Sequence, residues 1–355
     1  MSEKVLMKGN EAIGEAAVIA GCRYYFGYPI TPQSELIEYM AKRLPQVEGV
    51  FLQAESEVAA INMVYGAAGA GARVMTSSSS PGVSLKQEGI SYIAAGELPC
   101  VIVNIMRGGP GLGGIQPGQA DYFQATKGGG HGDYHCIVVA PNSVQEMAEL
   151  TVHAFNLADQ YRNPVMILSD GALGQMMEPV NFHDLPVIPV DKPWATTGMG
   201  ERDKPNMIDT LRLKADELEE LNNTLQKKYA LLQEREVRWE ETFTEDADLV
   251  LVAYGISSRV AYSAMEMARE KGYKVGLFRP VTLWPFPKEA LAKAVNKASD
   301  VLTIELSAGQ MVEDVNLAIK CSKPVHFYGR TGGMMMNPQD VYKQIVKIFE
   351  TKGGK

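Results

Sequence analysis

Residues 51–72, FLQAESEVAAINMVYGAAGAGA, read as the end of a strand followed directly by a helix. From Val58 onward this helix has no charge on any face and is rich in alanine and glycine, so we expect it to be buried on all sides. Its only charges, Glu55 and Glu57, lie where it begins. A carboxylate there either stabilises the helix dipole, which is the commoner role, or has its pKa raised by apolar surroundings.

Helical and strand-like segments alternate over residues 10–179. The predicted strands are residues 24–27, 73–76, 100–105, 137–140 and 164–168, and the predicted helices are residues 11–20, 34–43 and 144–161. This rhythm is typical of a doubly wound α/β domain with a parallel sheet. A second α/β unit follows, with strands at residues 249–253, 275–278 and 301–305 and a helix at residues 260–271.

The segment between these units differs from both in composition. Residues 184–193 contain three prolines and are predicted to form an extended connector. A charged helix is predicted over residues 207–241, where an apolar residue recurs at every seventh position: Leu211, Leu218, Leu225, Leu232 and Trp239. This stripe fits a coiled-coil partner helix or a single helix packed along its own globule. We favour the second interpretation because the other heptad position is mostly polar.

Composition limits the classes of partner. The 355 residues carry a net charge of -8, which argues against a nucleic-acid or anionic-membrane surface. Neither a signal-peptide core nor a membrane span is evident, so a cytoplasmic location is expected. The four cysteines, Cys22, Cys100, Cys136 and Cys321, are scattered, so neither an iron–sulfur nor a zinc site is predicted. Any redox centre must come from elsewhere.

The most specific local motif is GYPITP at residues 27–32. Two prolines bracket Ile30 and Thr31 where a predicted strand ends, which favours a rigid, extended turn. Ligands of such sheets bind outside the carboxyl ends of the strands, and Thr31 would offer a hydroxyl there. A purely structural turn is the alternative.

A glycine-rich loop follows the predicted strand that ends before Arg107. Residues 109–114 formally match G-x-G-x-x-G, but Pro110 lies inside the turn and no βαβ context is evident, so we reject a dinucleotide site. The Arg107 guanidinium, at the end of a strand in a glycine-lined pocket, suits bidentate binding of a carboxylate. A structural ion pair to Asp121 or Asp133 is the alternative, and the residues alone favour it.

Two further polar groups lie in predicted loops. TSSSSPG at residues 76–82 supplies hydroxyls that could hold a polar cofactor head or cap the following helix. His131 and His135 lie in a glycine-rich loop without a clear third ligand, so no metal site is predicted on this chain.

Together these motifs resemble the α subunit of 2-oxoacid:ferredoxin oxidoreductases. They are YPITP at residues 28–32, ESE at 55–57 before a Gly/Ala helix, GELP at 96–99 and the Arg107 loop, with RPVTLWPFP at 279–287 and ELSAGQ at 305–310. The resemblance implies a thiamine-diphosphate-binding fold. It places a pyrimidine-binding domain at residues 1–180, a linker with a charged helix at 181–246 and a transketolase C-terminal-like domain at 247–355.

The resemblance also implies an activity and residue roles. Such enzymes decarboxylate a 2-oxoacid oxidatively, form an acyl-CoA and pass electrons to ferredoxin. Glu57 matches the catalytic glutamate that hydrogen-bonds the pyrimidine ring nitrogen, with Glu55 as the competing candidate; the distance to Gly66 in the helix favours Glu57. Other roles carried over are cofactor contacts by Tyr28, Pro29 and Ile30 and substrate-carboxylate contacts by Thr31 and Arg107.

Part of the cofactor site is missing from the chain. Thiamine enzymes hold the diphosphate and Mg²⁺ with a Gly-Asp-Gly motif and an Asn pair about 25 residues on. The nearest string here is Ser169-Asp170-Gly171, and the adjacent pair Asn222-Asn223 lies too far away. The resemblance therefore implies a β subunit that carries this motif, with γ and ferredoxin-like subunits that carry the iron–sulfur clusters. The chain alone should be inactive.

Within the family, RGGPGLG at residues 107–113 and KGGGHGD at 127–133 look most like the branched-chain, 2-oxoisovalerate type. The 2-oxoglutarate type usually has a polar Ser-Thr in this loop, and no second basic residue near Arg107 offers itself for a distal carboxylate. The 2-oxoglutarate type, another thiamine-dependent component and a non-catalytic scaffold remain alternatives. Residues 329–333, GRTGG, are only weak evidence for a coenzyme A contact.

Overall fold

The structure is a computed structural model that describes residues 4–353. Its strands are β1 Val5–Lys8, β2 Tyr24–Gly27, β3 Val50–Gln53, β4 Val74–Ser78, β5 Cys100–Met106, β6 Ile137–Val139, β7 Pro164–Asp170, β8 Met177–Val180, β9 Trp239–Thr242, β10 Leu249–Ala253, β11 Val275–Pro280, β12 Thr282–Trp284, β13 Asp300–Glu305 and β14 Val325–Gly329. Its helices are α1 Gly9–Ile19, α2 Ser34–Arg43, α3 Glu57–Gly69, α4 Ser80–Ala95, α5 Tyr122–Thr126, α6 Val144–Tyr161, α7 Gly171–Gln175, α8 Ala215–Arg235, α9 Gly255–Glu270, α10 Lys288–Ala294, α11 Met311–Ala318 and α12 Pro338–Gly353, with a 3₁₀ turn at Leu44–Val47.

The strands form two large sheets and one small pair. The first sheet has seven strands in the order β12-β6-β7-β5-β4-β2-β3, and the second has five in the order β14-β13-β10-β11-β9. All neighbours in the first sheet are parallel except β12, which runs antiparallel to β6. Helices pack on these sheets, and one apolar core includes residues of both large sheets. The predicted doubly wound α/β class is confirmed.

The apolar runs predicted as buried strands behave as expected. Each residue of β5 and of β7 is buried, as is each residue of β10 and β13. Because a parallel sheet is covered on both faces, its strands need side chains that bury in both directions. The small antiparallel pair of β1 with β8 was not predicted.

The predicted helix over residues 207–241 is wrong at both ends. The helix is α8, Ala215–Arg235, and Trp239 lies instead in β9, which pairs antiparallel with β11. Leu211 lies outside any helix and is 64% exposed. The seven-residue spacing therefore continued beyond the helix by coincidence.

The interpretation of this helix as a strap on its own globule is confirmed. Leu225, Tyr229 and Leu232 are buried and belong to the common core. Gln226 Nε2 also donates a hydrogen bond of 2.8 Å to the Asp133 carbonyl. One face of α8 is thus occupied by this chain itself.

The expectation that the helix after Glu57 is buried on all sides is wrong. Val58, Asn62 and Gly66, which recur every fourth residue on α3, are exposed, and Val58 is 44% exposed. This uncharged strip, called the α3 open face below, has no covering segment within residues 4–353.

The division into residues 1–180, 181–246 and 247–355 stays a prediction. β12 lies in the C-terminal part of the chain yet pairs with β6 of the first sheet, with Thr282 opposite Val139. Within residues 4–353, no helix combines the length and apolar character needed to cross a membrane.

Candidate functional site

Three of the predicted site segments meet at one edge of the first sheet. β2, β4 and β5 are parallel, so their carboxyl ends lie together. A guanidinium nitrogen of Arg107, after β5, donates a hydrogen bond of 2.9 Å to the Thr31 carbonyl, after β2. The Arg107 backbone N–H donates to Ser80 Oγ, after β4, at 3.1 Å. The fold therefore brings Thr31 and Arg107 together.

Glu57 occupies the first position of α3 at this edge. Ser56 caps the helix, its hydroxyl accepting a hydrogen bond of 3.1 Å from the Ala59 N–H. The Glu57 side chain is buried, with 6% exposure, and none of the described residues donates a hydrogen bond to its carboxyl group. Glu55 is exposed and precedes the helix, so only Glu57 points into the protein.

Gly82 of α4 makes room for the Glu57 carboxyl. A Cβ atom at residue 82 would lie 2.6 Å from Glu57 Oε1 and 2.1 Å from Ser78 Oγ, distances that real Cβ atoms do not show. A side chain at this position would displace the carboxyl group. Glycine at residue 82 is thus a requirement of the buried carboxyl, and sequence reasoning did not identify it.

Lys86, one turn after Gly82 on α4, is fully buried. Its Nζ donates hydrogen bonds to Thr76 Oγ1 at 2.6 Å and to the Ser77 carbonyl at 3.0 Å. Burial lowers the pKa of Lys86 to about 7, against the opposing effect of the Glu57 charge. Sequence reasoning missed this residue, although its helical spacing from the buried Val83 placed it on an apolar face.

The serine run at the end of β4 contributes hydroxyls without partners. Ser78 Oγ and Ser79 Oγ are buried and make no hydrogen bond among the described residues. Ser79 is the N-cap residue of α4, but its side chain accepts no capping bond. Ser77 differs, since its hydroxyl lies 2.5 Å from Tyr25 OH and 2.5 Å from Gln33 Oε1. Both unpaired hydroxyls are available to a polar ligand, and that of Ser78 lies beside the Glu57 carboxyl at Gly82.

Arg107 is not held by a carboxylate within residues 4–353. Its guanidinium donates to the carbonyls of Thr31 and Leu112 at 2.9 and 2.8 Å, and its buried Nε has no acceptor. Asp121, the alternative ion-pair partner, accepts hydrogen bonds from Ser80 Oγ at 2.6 Å and Asn104 Nδ2 at 2.9 Å instead. The positive charge of Arg107 is therefore free to meet an anionic ligand.

The predicted cofactor contacts lie on the open side of this edge. Tyr28 is 36% exposed, Pro29 is exposed and Ile30 is half-buried. The Tyr28 carbonyl accepts a hydrogen bond of 3.4 Å from Gln33 Nε2. Because Gln33 Oε1 also contacts the Ser77 hydroxyl, this bond connects the YPITP turn to the buried end of β4.

The C-terminal unit closes over the Arg107 loop. A Cβ atom at Gly108 would lie 3.2 Å from the Gly332 backbone, and Gln119 Oε1 accepts hydrogen bonds from Ser257 Oγ at 2.6 Å and from the Leu306 N–H at 2.9 Å. Arg330 lies in this second loop and makes no ion pair among the described residues. Sequence spacing could not reveal a contact between segments so far apart in the chain.

The Ser169-Asp170-Gly171 string is structural in this chain. Asp170 Oδ1 caps α7 by accepting hydrogen bonds from the Ala172 and Leu173 N–H groups at 2.9 and 3.2 Å. Burial raises the pKa of Asp170 to about 6. Within the described residues, no group of three or more His, Cys, Asp or Glu side chains could hold a metal ion.

The two loop histidines do not act together. His135 stacks on Trp284 with ring centroids 4.4 Å apart, and burial lowers its pKa. His131 is exposed, and its Nδ1 lies 3.4 Å from Ser91 Oγ.

Comparisons with known proteins agree with this geometry. Residues 15–236 match the family model described as pyruvate flavodoxin/ferredoxin oxidoreductase, thiamine diphosphate-binding, and residues 247–341 match pyruvate:ferredoxin oxidoreductase core domain II. The chain is 55% identical to the ketoisovalerate oxidoreductase subunit VorB of Methanothermobacter marburgensis, over 97% of both chains. It is 40% identical to the 2-oxoglutarate synthase subunit KorA of Archaeoglobus fulgidus, over 92% of this chain and 95% of the relative.

Solved structures also include a 2-oxoacid:ferredoxin oxidoreductase among the similar proteins. The 2-oxoglutarate:ferredoxin oxidoreductase from Magnetococcus marinus superposes with a TM-score of 0.87 at 26% identity, over 98% of this chain. The chain spans 65% of the length of that protein's chain. A split-gene transketolase shares the fold, with a TM-score of 0.59 at 15% identity. The expected thiamine-diphosphate-binding, transketolase-like fold is confirmed, and the chain belongs to the 2-oxoacid:ferredoxin oxidoreductase family.

Proposed function

We propose that this chain is the α subunit of an enzyme that decarboxylates a branched-chain 2-oxoacid oxidatively, forms the acyl-CoA and passes electrons to ferredoxin. The 55% identity to a ketoisovalerate oxidoreductase subunit, against 40% to a 2-oxoglutarate synthase subunit, supports this substrate class. Leu112 and Ile115 of the Arg107 loop are 87% and 58% exposed and offer an apolar surface to a branched side chain.

The observation that carries the proposal is the Glu57 carboxyl, buried at the sheet edge without a hydrogen-bond donor from the described chain. This carboxyl fits a ring nitrogen of the cofactor, and the unpaired Ser78 and Ser79 hydroxyls supply further polar contacts. Thiamine diphosphate, when bound, supplies the carbanion chemistry. Glu57 would hold and exchange a proton at the pyrimidine ring. Tyr28, with its neighbours Pro29 and Ile30, would orient that ring.

Arg107 and Thr31 would bind the carboxylate of the 2-oxoacid. The Arg107 guanidinium has no carboxylate partner within the described residues and keeps an unpaired Nε. The exposed Thr31 adds a hydroxyl beside it. A charge-assisted pair at this edge would fix the substrate relative to the cofactor.

The remainder of the cofactor site would lie on a partner. Asp170 is fully buried and its Oδ1 caps α7, which supports a site for the diphosphate and Mg²⁺ on a β subunit. The α3 open face, uncharged and adjacent to Glu57, suits the surface of that subunit. The iron–sulfur clusters would lie on further γ and ferredoxin-like subunits. The cytoplasmic location stays a prediction.

The test is reduction of ferredoxin or a viologen by this chain co-expressed with its neighbouring subunits. The complex receives coenzyme A, thiamine diphosphate and one of 2-oxoisovalerate, 2-oxoglutarate or pyruvate. Fastest turnover on 2-oxoisovalerate supports the proposal, and Glu57→Gln should abolish turnover. Glu55→Gln, two residues away but exposed, is the matched control and should stay active. Full activity of Glu57→Gln would remove Glu57 from the mechanism.

One observation favours a 2-oxoglutarate enzyme as the second candidate. The loop that carries Arg330 packs against Gly108, and its guanidinium, which makes no ion pair with any described residue, would meet a distal carboxylate. Preference for 2-oxoglutarate that is lost in Arg330→Gln would establish this candidate. If wild type and Arg330→Gln show the same relative turnover on 2-oxoisovalerate, 2-oxoglutarate and pyruvate, Arg330 plays no part in substrate selection.

A further inference from the structure

A fully buried glutamine joins the end of the Arg107 loop to the C-terminal unit. Gln119 follows this loop directly and has no exposed surface. Its side chain donates a hydrogen bond of 3.0 Å to the Tyr254 carbonyl and accepts bonds from Ser257 Oγ at 2.6 Å and from the Leu306 N–H at 2.9 Å. Its backbone N–H donates to the Leu306 carbonyl at 2.8 Å, and its carbonyl accepts a bond of 3.2 Å from Tyr254 OH. All of these bonds lead to the C-terminal unit, and every polar atom of Gln119 has a partner.

The segment that carries Gln119 is also paired with Arg107. Pro117 forms an isolated antiparallel bridge with Arg107. A Cβ atom at Gly118 would lie 3.1 Å from the Arg107 carbonyl oxygen, so the two segments are in close contact. Gln119 is thus two residues from the backbone partner of Arg107, and its bonds connect that partner to the C-terminal unit.

The loop between Arg107 and this segment has little else to hold it. Residues 109–113 are exposed, and no atom outside the chain neighbours lies within 4 Å of a Cβ atom added at Gly109 or Gly111. An exposed glycine-rich segment has many accessible conformations, and fixing one of them costs entropy. The Arg107 guanidinium donates to the Leu112 carbonyl inside this loop, so its orientation depends on how firmly the ends of the loop are held.

We propose that Gln119 is a positioning residue for substrate binding, which fixes the backbone of Arg107 against the C-terminal unit and so keeps the guanidinium at the sheet edge. The inference rests on the proposed role of Arg107 as a ligand of the 2-oxoacid carboxylate. Because the polar atoms of Gln119 are already paired and buried, it acts through Arg107 and not by contact with the substrate. Loss of its side-chain bonds should therefore weaken substrate binding more than it slows turnover at saturation.

The test is ferredoxin reduction by the assembled complex at varied concentrations of the 2-oxoacid that wild type turns over fastest. Gln119→Met keeps the length of the side chain and removes its three hydrogen bonds. It should raise the KM for the 2-oxoacid roughly fivefold and change kcat less than about twofold.

Gln310→Met is the matched control. The Gln310 side chain also joins the two units, since it donates to the Ala120 carbonyl at 2.7 Å and accepts from the Phe123 N–H at 2.8 Å, but it bonds no residue of the Arg107 loop. This variant should keep the wild-type KM. An equal rise of KM in Gln310→Met, or an unchanged KM in Gln119→Met, would overturn the inference.

A double variant shows whether Gln119 acts through the guanidinium. Arg107→Met cannot bind a carboxylate, so the position of its backbone no longer matters to the substrate. Adding Gln119→Met to it should change KM less than about twofold, whereas a further rise of roughly fivefold would show independent action and refute the inference.

Two further outcomes are covered by the same measurements. If Gln119→Met fails to assemble, Ser257→Ala, which removes one bond to Gln119 Oε1, must raise KM at least about twofold, and an unchanged KM overturns the inference equally. Failure of the proposed role of Arg107 is distinguishable, because it appears as a wild-type KM in Arg107→Met alone, and the inference then falls with it.

Discussion

Gly82→Ala should separate stability from cofactor chemistry. The new methyl group would lie 2.6 Å from Glu57 Oε1 and 2.1 Å from Ser78 Oγ. Both atoms end flexible side chains, so the backbone need not move. Overpacking costs roughly 1–3 kcal/mol, and the better helix propensity of alanine returns about 1 kcal/mol. We expect a net loss of at most about 2 kcal/mol in the free energy of unfolding.

The effect on turnover should be much larger. Relief of the clash displaces the Glu57 carboxyl. A misplacement of about 1 Å in a catalytic group costs roughly 100-fold in rate. Urea unfolding of the chain and ferredoxin reduction by the assembled complex measure the two effects. The matched control is Gly69→Ala at the far end of α3, away from the α3 open face, where the nearest atom to the added Cβ is Ile208 Cδ1 at 3.5 Å, an ordinary van der Waals distance, and it should be stable and active. Turnover of Gly82→Ala equal to that of the control would refute the account of the Glu57 pocket.

Three further outcomes are expected. Because the pKa of Lys86 is lowered from 10.5 to about 7, the unfolded chain binds more protons between these pH values, so the free energy of unfolding should rise with pH there. Lys86→Met should remove this rise, about 1.4 kcal/mol per pH unit at most, in urea titrations at several pH values. Arg107→Lys keeps the charge but loses the forked donors, and should raise the KM for the 2-oxoacid roughly tenfold, a result that an unchanged KM would contradict. Leu232→Ala should cost about 2–5 kcal/mol on urea unfolding, against roughly 0.5 kcal/mol for Leu218→Ala, because Leu232 is fully buried whereas Leu218 is 43% exposed.

The regular elements were predictable because hydrophobic periodicity reports burial. The helix Val144–Tyr161 and the strand Leu249–Ala253 have the predicted bounds, and Glu57 was placed correctly at the start of its helix. These elements bury one stripe or both faces against a neighbour, and that pattern is written in consecutive residues.

The features that were missed depend on residues far apart in the chain. The contact of the Arg330 loop with Gly108 and the bonds of Gln119 to Leu306 join segments of different units. Lys86 was missed because a charged residue on an apolar face looks like an interruption until its acceptors are known. The exposure of Val58 was missed because an uncharged face has the same composition whether its own chain or another covers it.

The position of β12 has a consequence for biosynthesis. Residues 282–284 complete the first sheet by covering the edge of β6, although β6 leaves the ribosome more than a hundred residues earlier. Until then, a nascent chain with its N-terminal half folded presents an open, apolar strand edge of the kind that templates aggregation. A chain cut after residue 246 would keep that edge open permanently, so an N-terminal fragment should carry either a replacement for β12 or a charged residue on β6 to remain monomeric.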